Sequence, residues 1–517
     1  MTVFILGAGV MQLPAIRAAH ELGWKTLVAD ANPLAPGAAL ADRFVAVDLK
    51  DLEGLAAAAR AERSRAELDG VFTAGTDFSA SVAWVARELS LPGISYEAAI
   101  RASDKLAMRA ALSAAGVPSP RFAAVASAAD LAAAGLDYPL VVKPADSMGA
   151  RGCRCARDDG ELAQAVAEAL PYSRSGRAIV EEYIDGPEFS IDALVSNGEI
   201  RVRGIADRHI FFSPYFVELG HTMPSSYPRE TIDEVLRVFH LGVQALGLDH
   251  GAAKGDMKFS PSRGAVVGEI AARLSGGYMS GWTYPYASGI DVTREALELC
   301  AGLDLESDRP DSPRNWVAAE RAFISIPGSI AAISGCLDAE RMPYVKNLFL
   351  RVSPGESVRF PKNNVEKCGN VISQAPTREA AVGAAEAAAR AVLIRLRPGV
   401  AETEAFLSSK IGEEWPPAAF PLRGVLAREL EAMPEFTAGG GLVLPFPRAN
   451  EAEESDWSGR GFAESAELAL GLAHGQTAGR TLAGRFWRAL AKGGLQAALY
   501  ALDTEAFMTC DGRGGRP

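Results

Sequence analysis

The sequence predicts a multidomain α/β and α+β protein, and three observations carry that expectation. The chain has 517 residues, enough for roughly three or four domains of ordinary size. Residues 1–100 alternate short apolar runs with helix-length segments, the pattern of right-handed βαβ crossovers on a parallel sheet. Further on, turn signals at Asn197-Gly198 and at 262–264 predict hairpins, hence antiparallel strands.

In order, the spacing predicts strands over 3–6, 26–29, 44–47 and 70–74, with a helix over 11–22 between the first two. A helix over 108–115 ends at Gly116, with Pro118 and Pro120 just beyond. Residues 123–303 read as mixed α+β. A third unit over 316–397 holds a strand at 322–326, a turn at 353–356, the stretch 358–369 and an Ala-rich helix from 378 to 396. Arg397-Pro398-Gly399 reads as a linker. Beyond it, 451–458 reads as a polar loop. Residues 480–502 read as a helix broken at Gly493-Gly494, with Arg480, Arg485, Arg488 and Lys492 as a solvated basic face.

Composition narrows the function classes. Hydrophobic residues make up 48% and charged residues 22%, which excludes a disordered tail, a collagen or a disulfide miniprotein. A formal charge of −12 gains little from counterion release, so nucleic acid is not expected as a partner. There is no uncharged apolar run of membrane-spanning length, and Met1 leads into VFILGAG rather than a signal peptide. The cysteines at 153, 155, 300, 336, 368 and 510 match neither a zinc nor a CxxC spacing. Reduced thiols and a cytoplasmic location are the expectation.

Gly7, Gly9 and Gln12 form GxGxxQ after the first strand, and Asp30 closes the second. This half-matches a dinucleotide fingerprint, but Gln12 replaces the glycine that lets helix and sheet pack closely. A tight βα turn explains it equally well.

A stronger series runs from Lys105 to Arg273. Asp104-Lys105 precedes a helix, Lys143 ends an apolar strand, and Ser147, Gly149 and Gly152 lie in a small-residue loop able to approach phosphate. Glu181, Glu182, Tyr183 and Ile184 end another strand, followed by Glu188. Asp256 and Glu269 lie on successive strands whose hairpin brings the two carboxylates together, a hard-oxygen pair suited to Mg²⁺ on nucleotide phosphates. Lysines, a glycine-rich loop and paired carboxylates form an inventory for phosphoryl transfer. No P-loop and no protein-kinase signature occurs.

This series resembles the ATP-grasp superfamily of carboxylate–amine ligases over roughly residues 1–400. The resemblance implies a Rossmann-like pre-ATP-grasp domain over 1–102, a two-subdomain ATP-grasp domain over 103–312, a C-terminal lid over 313–399 and an extension of unassigned role over 400–517. It implies ATP as nucleotide and one or two Mg²⁺, with Mn²⁺ as a substitute. Lys105 and Lys143 correspond to the phosphate lysines, Ser147, Gly149 and Gly152 to the mobile loop, and Glu181, Glu182, Tyr183 and Ile184 to the adenine hinge. Glu188 corresponds to the ribose acceptor, Asp256 and Glu269 to the metal ligands, and Arg273 to the arginine on the acyl phosphate. Ala271 stands where many members have a ligating asparagine. A backbone or water ligand then replaces it, or one metal is held less tightly.

Within the superfamily, DRHIFFSPYFVELGHTMP resembles the L-amino-acid ligase branch, with Glu218 and His221, beside Ser225, on the acceptor side. A carboxylate there can hold an ammonium while the imidazole orients or deprotonates the amine. The expected partners are a small carboxylate and an amine, and the expected assembly is a homodimer. The small residues Ser275, Gly276 and Gly277 after Arg273 suggest a roomy acceptor pocket. Competing readings are an ATP-grasp ligase or carboxylase of purine biosynthesis, acting on a phosphoribosyl amine, and a nicotinamide oxidoreductase built on the first domain.

Overall fold

The computed structural model describes residues 1–127, 130, 135–305, 315–412, 414–421, 436–437, 455–473, 481–482 and 484–511. The expected boundary at 312/313, residues 451–454 of the polar loop and Arg480 of the last helix lie outside the described residues. The chain divides into two compact units, Met1–Glu320 with Ile372–Val382, and Arg321–Val371 with Gly383–Pro517.

The first unit opens with β1 (Thr2–Leu6), α1 (Leu13–Glu21), β2 (Lys25–Asp30), β3 (Arg43–Ala46), α2 (Leu52–Arg63), β4 (Gly70–Phe72) and α3 (Ser79–Leu89). The strands form a parallel sheet in the order β3-β2-β1-β4. β1 is buried on both faces: Val3 and Ile5 enter one core, Phe4 and Leu6 another. A continuous VFIL run is what such a strand requires.

Next come α4 (Tyr96–Ser103) and α5 (Lys105–Ala114), where Asp104 caps α5 by accepting from the N–H groups of Leu106 (2.8 Å) and Ala107 (3.0 Å). The cap fixes Lys105 at the first helical position. A second sheet is antiparallel, in the order β5 (Phe122–Val125), β8 (Ala178–Glu182), β6 (Leu140–Pro144) and β7 (Arg154–Ala156), with α6 (Asp159–Ala169) against it.

The third sheet carries most of the chemistry. Its strands β9 (Glu188–Ser196), β10 (Glu199–Phe211), β11 (Val217–Met223), β12 (Gly251–Ser260) and β13 (Gly264–Ala271) run in the order β13-β12-β9-β10-β11. Both expected hairpins are present, β9–β10 and β12–β13. α7 (Arg229–Leu246) covers the apolar face, with Val235, Val238, Phe239 and Val243 packed among Phe189, Ile191, Met257 and Ile270.

In the second unit two expectations shift. The strand expected at 322–326 spans Val317–Phe323, ahead of Pro327, which cannot donate to a ladder. The Ala-rich helix stops at Ala391, and Leu393–Leu396 is a strand antiparallel to Gly328–Ser334. The VLIRL run has period two, and its buried residues Ile394 and Leu396 face inward. The extension joins this unit's core: Phe406, Ala497 and Tyr500 pack with Ile330, Val371 and Ile394.

The helix Gly484–Asp511 has non-helical dihedrals at Gly493 and Gly494, as expected. Of its described basic residues Arg485 is exposed and pairs with Glu404, whereas Lys492 and Arg488 do not form a solvated face. Lys492 is 1% exposed and donates to the carbonyls of Lys410 (2.9 Å) and Pro416 (3.2 Å). Arg488 donates to the carbonyls of Leu407, Ser408 and Ser409. These cations satisfy carbonyls left open at and just beyond the end of the helix Ala401–Ser408. Among the described residues, no helix is long and apolar enough to cross a membrane.

Candidate functional site

Period-two alternation puts Glu188, Ser190 and Asp192 of β9 on one face of the third sheet, beside Lys254, Asp256 and Lys258 of β12, with which they pair in register. On β13, Glu269 pairs with Asp256 and Ala271 with Lys254. On β10, Arg208 pairs with Glu188. Glu218 and His221 are three apart and would normally face opposite ways. A bulge at Leu219 shifts the β10–β11 register, so that His221 pairs with Arg208 and Glu218 with Ile210. Both side chains then reach the charged face.

At one end of this face, Lys105 donates to the Ser147 carbonyl (2.7 Å) and lies 3.6 Å from the Glu269 carboxylate. Lys143 donates to Glu181 (2.7 Å), whose other oxygen accepts from the buried Arg109 (2.7 Å). Burial opposes ionisation of Glu181, but Arg109 and Lys143 outweigh it and bring its carboxyl down to about 2. Glu269 is likewise brought down to about 2, against burial, by Lys105, Lys254, Lys143 and Arg273. Both Glu181 carboxylate oxygens are therefore engaged by protein cations. Gly149 and Gly152 of the loop adopt positive φ.

The strand-end residues differ among themselves. Glu182 binds Arg121 through its N–H and guanidinium, and also pairs with Arg263. Tyr183 stays partly exposed, with the Lys258 ammonium 5.2 Å from its ring centre. Lys258 also donates to the Ile184 carbonyl (2.9 Å) and pairs with Glu188 (2.8 Å).

Arg208 forms the centre. It donates to Glu188 (3.1 Å) and Glu218 (2.8 Å) and lies 3.2 Å from Asp256. Burial alone would discourage its charge, but these three carboxylates hold it firmly cationic. Beyond it, His221 is 3% exposed, with Nδ1 3.0 Å from Glu320 and Nε2 3.4 Å from Glu218. A carboxylate at each ring nitrogen requires both to carry hydrogen. Against burial, Glu218 and Glu320 raise the imidazole to about 9. His221 is therefore an imidazolium at neutral pH, suited to orienting a substrate rather than deprotonating it.

Arg273 is 9% exposed. Its Nη1 donates to the Leu274 carbonyl (3.0 Å), while Nε is buried without a hydrogen-bond partner among the described residues. Its charge helps to lower the Glu269 carboxyl. Ser225 turns away and donates to Asp207 (2.5 Å). The small residues after Arg273 have another use than opening space. A Cβ on Gly276 would lie 3.4 Å from Gly75, and one on Gly277, at φ +61, would lie 3.2 Å from Glu218 and 3.3 Å from His221. An open cleft of about 280 Å³ lies at the Glu188–Arg208 end, lined in part by Asp207, Tyr227 and Arg378.

The first glycine motif is occupied by its own chain. Gln12 is buried over Gly7 and donates to the Ala74 carbonyl (2.6 Å), while Asp30 accepts from the Ala8 N–H (2.8 Å). That favours the tight-turn reading over a ribose contact.

Sequence reasoning did not single out Arg109, Arg208, Lys254, Lys258 or Glu320. Strand alternation could have found Arg208, Lys254 and Lys258. Arg109 and Glu320 have no local signal, because each acts on a residue distant in sequence.

Residues 136–281 match the ATP-grasp domain family, and residues 322–397 match L-amino acid ligase C-terminal domain 2. The chain carries both domains. A crystal structure of L-amino acid ligase from Bacillus licheniformis superposes with a TM-score of 0.68 at 23% identity, covering 77% of this chain and 98% of that one. Protein y4rH of Sinorhizobium fredii, itself uncharacterised, is 27% identical over 374 residues, 71% of this chain and 77% of its own. The L-arginine-specific L-amino acid ligase of Bacillus subtilis is 28% identical over 196 residues, 37% of this chain and 48% of its own, so the chain spans about half of that relative. By these matches the chain is similar to ATP-grasp carbon–nitrogen ligases.

Proposed function

We propose that the chain joins a carboxylate, an amino acid in the reading favoured here, to an amine through an acyl phosphate, releasing ADP and phosphate. The observation that supports this most is the single sheet face on which Arg208 links the Asp256–Glu269 pair to Glu218 and His221. An ATP-activating end and an amine-holding end would then share one surface.

In this reading Lys105, Lys143 and Arg273 neutralise phosphate oxygens, and the loop at Ser147, Gly149 and Gly152 covers them. The backbone of Glu181, Glu182, Tyr183 and Ile184 meets adenine, and Glu188, positioned by Lys258 and Arg208, accepts from ribose. At the paired carboxylates, the hard oxygens of Glu269 fit Mg²⁺ carried in on phosphate; Glu269 would hold it, Asp256 opposite being seated on Arg208 and Lys254, and Mn²⁺ would substitute. When bound, it spreads the charge of the phosphate oxygens. The substrate carboxylate attacks the γ-phosphorus and the bond to ADP breaks. The amine then displaces phosphate from the acyl carbon, with Arg273 on the departing oxygens. Glu218 accepts from the substrate's ammonium and is itself held by Arg208 and by His221, protonated on both nitrogens; two ammonium protons leave with the phosphate, which frees the nitrogen lone pair for attack. Water must be kept out, since it would hydrolyse the intermediate.

Oxygen transfer tests this directly. With an ¹⁸O-labelled substrate carboxylate, an acyl phosphate route moves one label into the released phosphate. Phosphate free of label would exclude that route.

A further inference from the structure

Asp256 and Glu269 face each other in register, yet their surroundings differ. Both Asp256 oxygens are engaged: Oδ1 lies 3.2 Å from Arg208 and 3.4 Å from the Ser190 hydroxyl, and Oδ2 pairs closely with the Lys254 ammonium. Glu269 has Lys105 at 3.6 Å, and its side chain is 31% exposed. Lys254 is held from both sides. Its strand pairs with β9, where Asp192 lies opposite, and with β13, where Ala271 lies opposite. The small Ala271 side chain supplies no oxygen ligand at that position. Asp192 is fully buried and accepts from the Ser275 N–H (2.8 Å) and hydroxyl, so it is not available to a metal either. Among the described residues, no group of three or more His, Cys, Asp or Glu side chains is arranged to hold a metal ion.

We propose that Lys254 is a built-in cation standing in for a second divalent ion, so that the site takes a single Mg²⁺ with its nucleotide, held by Glu269 and phosphate. An ammonium already seated on Asp256 repels a further divalent ion and supplies donors to phosphate oxygen without leaving the protein. The missing asparagine at Ala271 and the lysine opposite it are then two parts of one substitution. This inference rests on the nucleotide-binding reading above.

The test counts metal rather than turnover. The full chain is saturated with the β,γ-imido analogue of ATP, and Mn²⁺ bound per nucleotide is measured by electron paramagnetic resonance. We expect one tightly bound Mn²⁺ per nucleotide for the wild type and for Lys254→Arg, and two for Lys254→Met or Lys254→Gln. Two in the wild type, or one in a folded Lys254→Met or Lys254→Gln variant, overturns the inference and leaves nucleotide binding intact. Failure of the wild type to bind the analogue overturns the nucleotide reading itself. As a check that needs no variant, activity at saturating MgATP should not rise with further free Mg²⁺, and a rise overturns the inference.

Discussion

The two ends of the charged sheet face differ in charge balance. Around Lys105 and Lys143, with Arg109 and Arg273 behind them, cations outnumber the carboxylates Glu181 and Glu269. Around His221, the carboxylates Glu218 and Glu320 equal the cations His221 and Arg208 in number. Buried ion pairs contribute little net stability by themselves, because desolvation offsets attraction. What they leave is a sign. In the proposed function the cationic first end takes the polyphosphate and Glu218 at the second takes the ammonium, with Arg208 between them.

That contrast can be broken most severely at the first end. Glu269→Gln or Arg273→Ala should lower ligation by about 10³-fold or more, read as ADP release, the scale on which charge stabilisers act in phosphoryl transfer. A variant within about tenfold of wild type would remove that residue from its role. Next, Glu181→Ala leaves Arg109 buried and unpaired and should cost about 3–5 kcal/mol of stability, measured by denaturant melting. A loss below about 1 kcal/mol would show that Lys143 and Arg109 are not held by this carboxylate.

The second end is sharpened by pH. Because folding raises the His221 imidazole to about 9 from its ordinary 6.5, its stabilising effect is complete below the unfolded value and fades as pH rises through about 9. Wild type should lose stability relative to His221→Gln across that window, with urea midpoints at the two ends as the readout. A constant difference would place the imidazole back in its ordinary range. Lys258→Met should raise KM for ATP with kcat held within about twofold, since Lys258 only positions Ile184 and Glu188. Smallest of all, Ser190→Ala removes a 3.4 Å contact to Asp256 and should leave the rate within about twofold.

Much of this was legible before any coordinates. The parallel first sheet follows from VFIL and its spacing, and the hairpin between Asp256 and Glu269 from its turn. The bulge at Leu219 was not legible, because register depends on the partner strand. Without it, resemblance alone places Glu218 and His221 together on the acceptor side. Arg208 was overlooked although alternation marks it, since a lone arginine in a strand is ordinarily a surface residue. Arg488 and Lys492 of the basic run were misread for a related reason, while Arg485 is exposed as expected. A charge pattern does not reveal that carbonyls beyond a distant helix end await donors. The helix expected to continue to 396 failed because alanine-rich periodicity masked the shift to period two at Val392.

The central claim is that one face activates a carboxylate and delivers an amine to it. Its most direct test is release of ADP and phosphate with MgATP across a grid of amino acids as donors and acceptors, with mass detection of products. The account predicts release that requires a pair of amino acids and a product of dipeptide mass. ATP bound tightly, with no ADP released and no amide mass anywhere on the grid, would contradict the amino-acid reading and shift the carboxylate to another small acid.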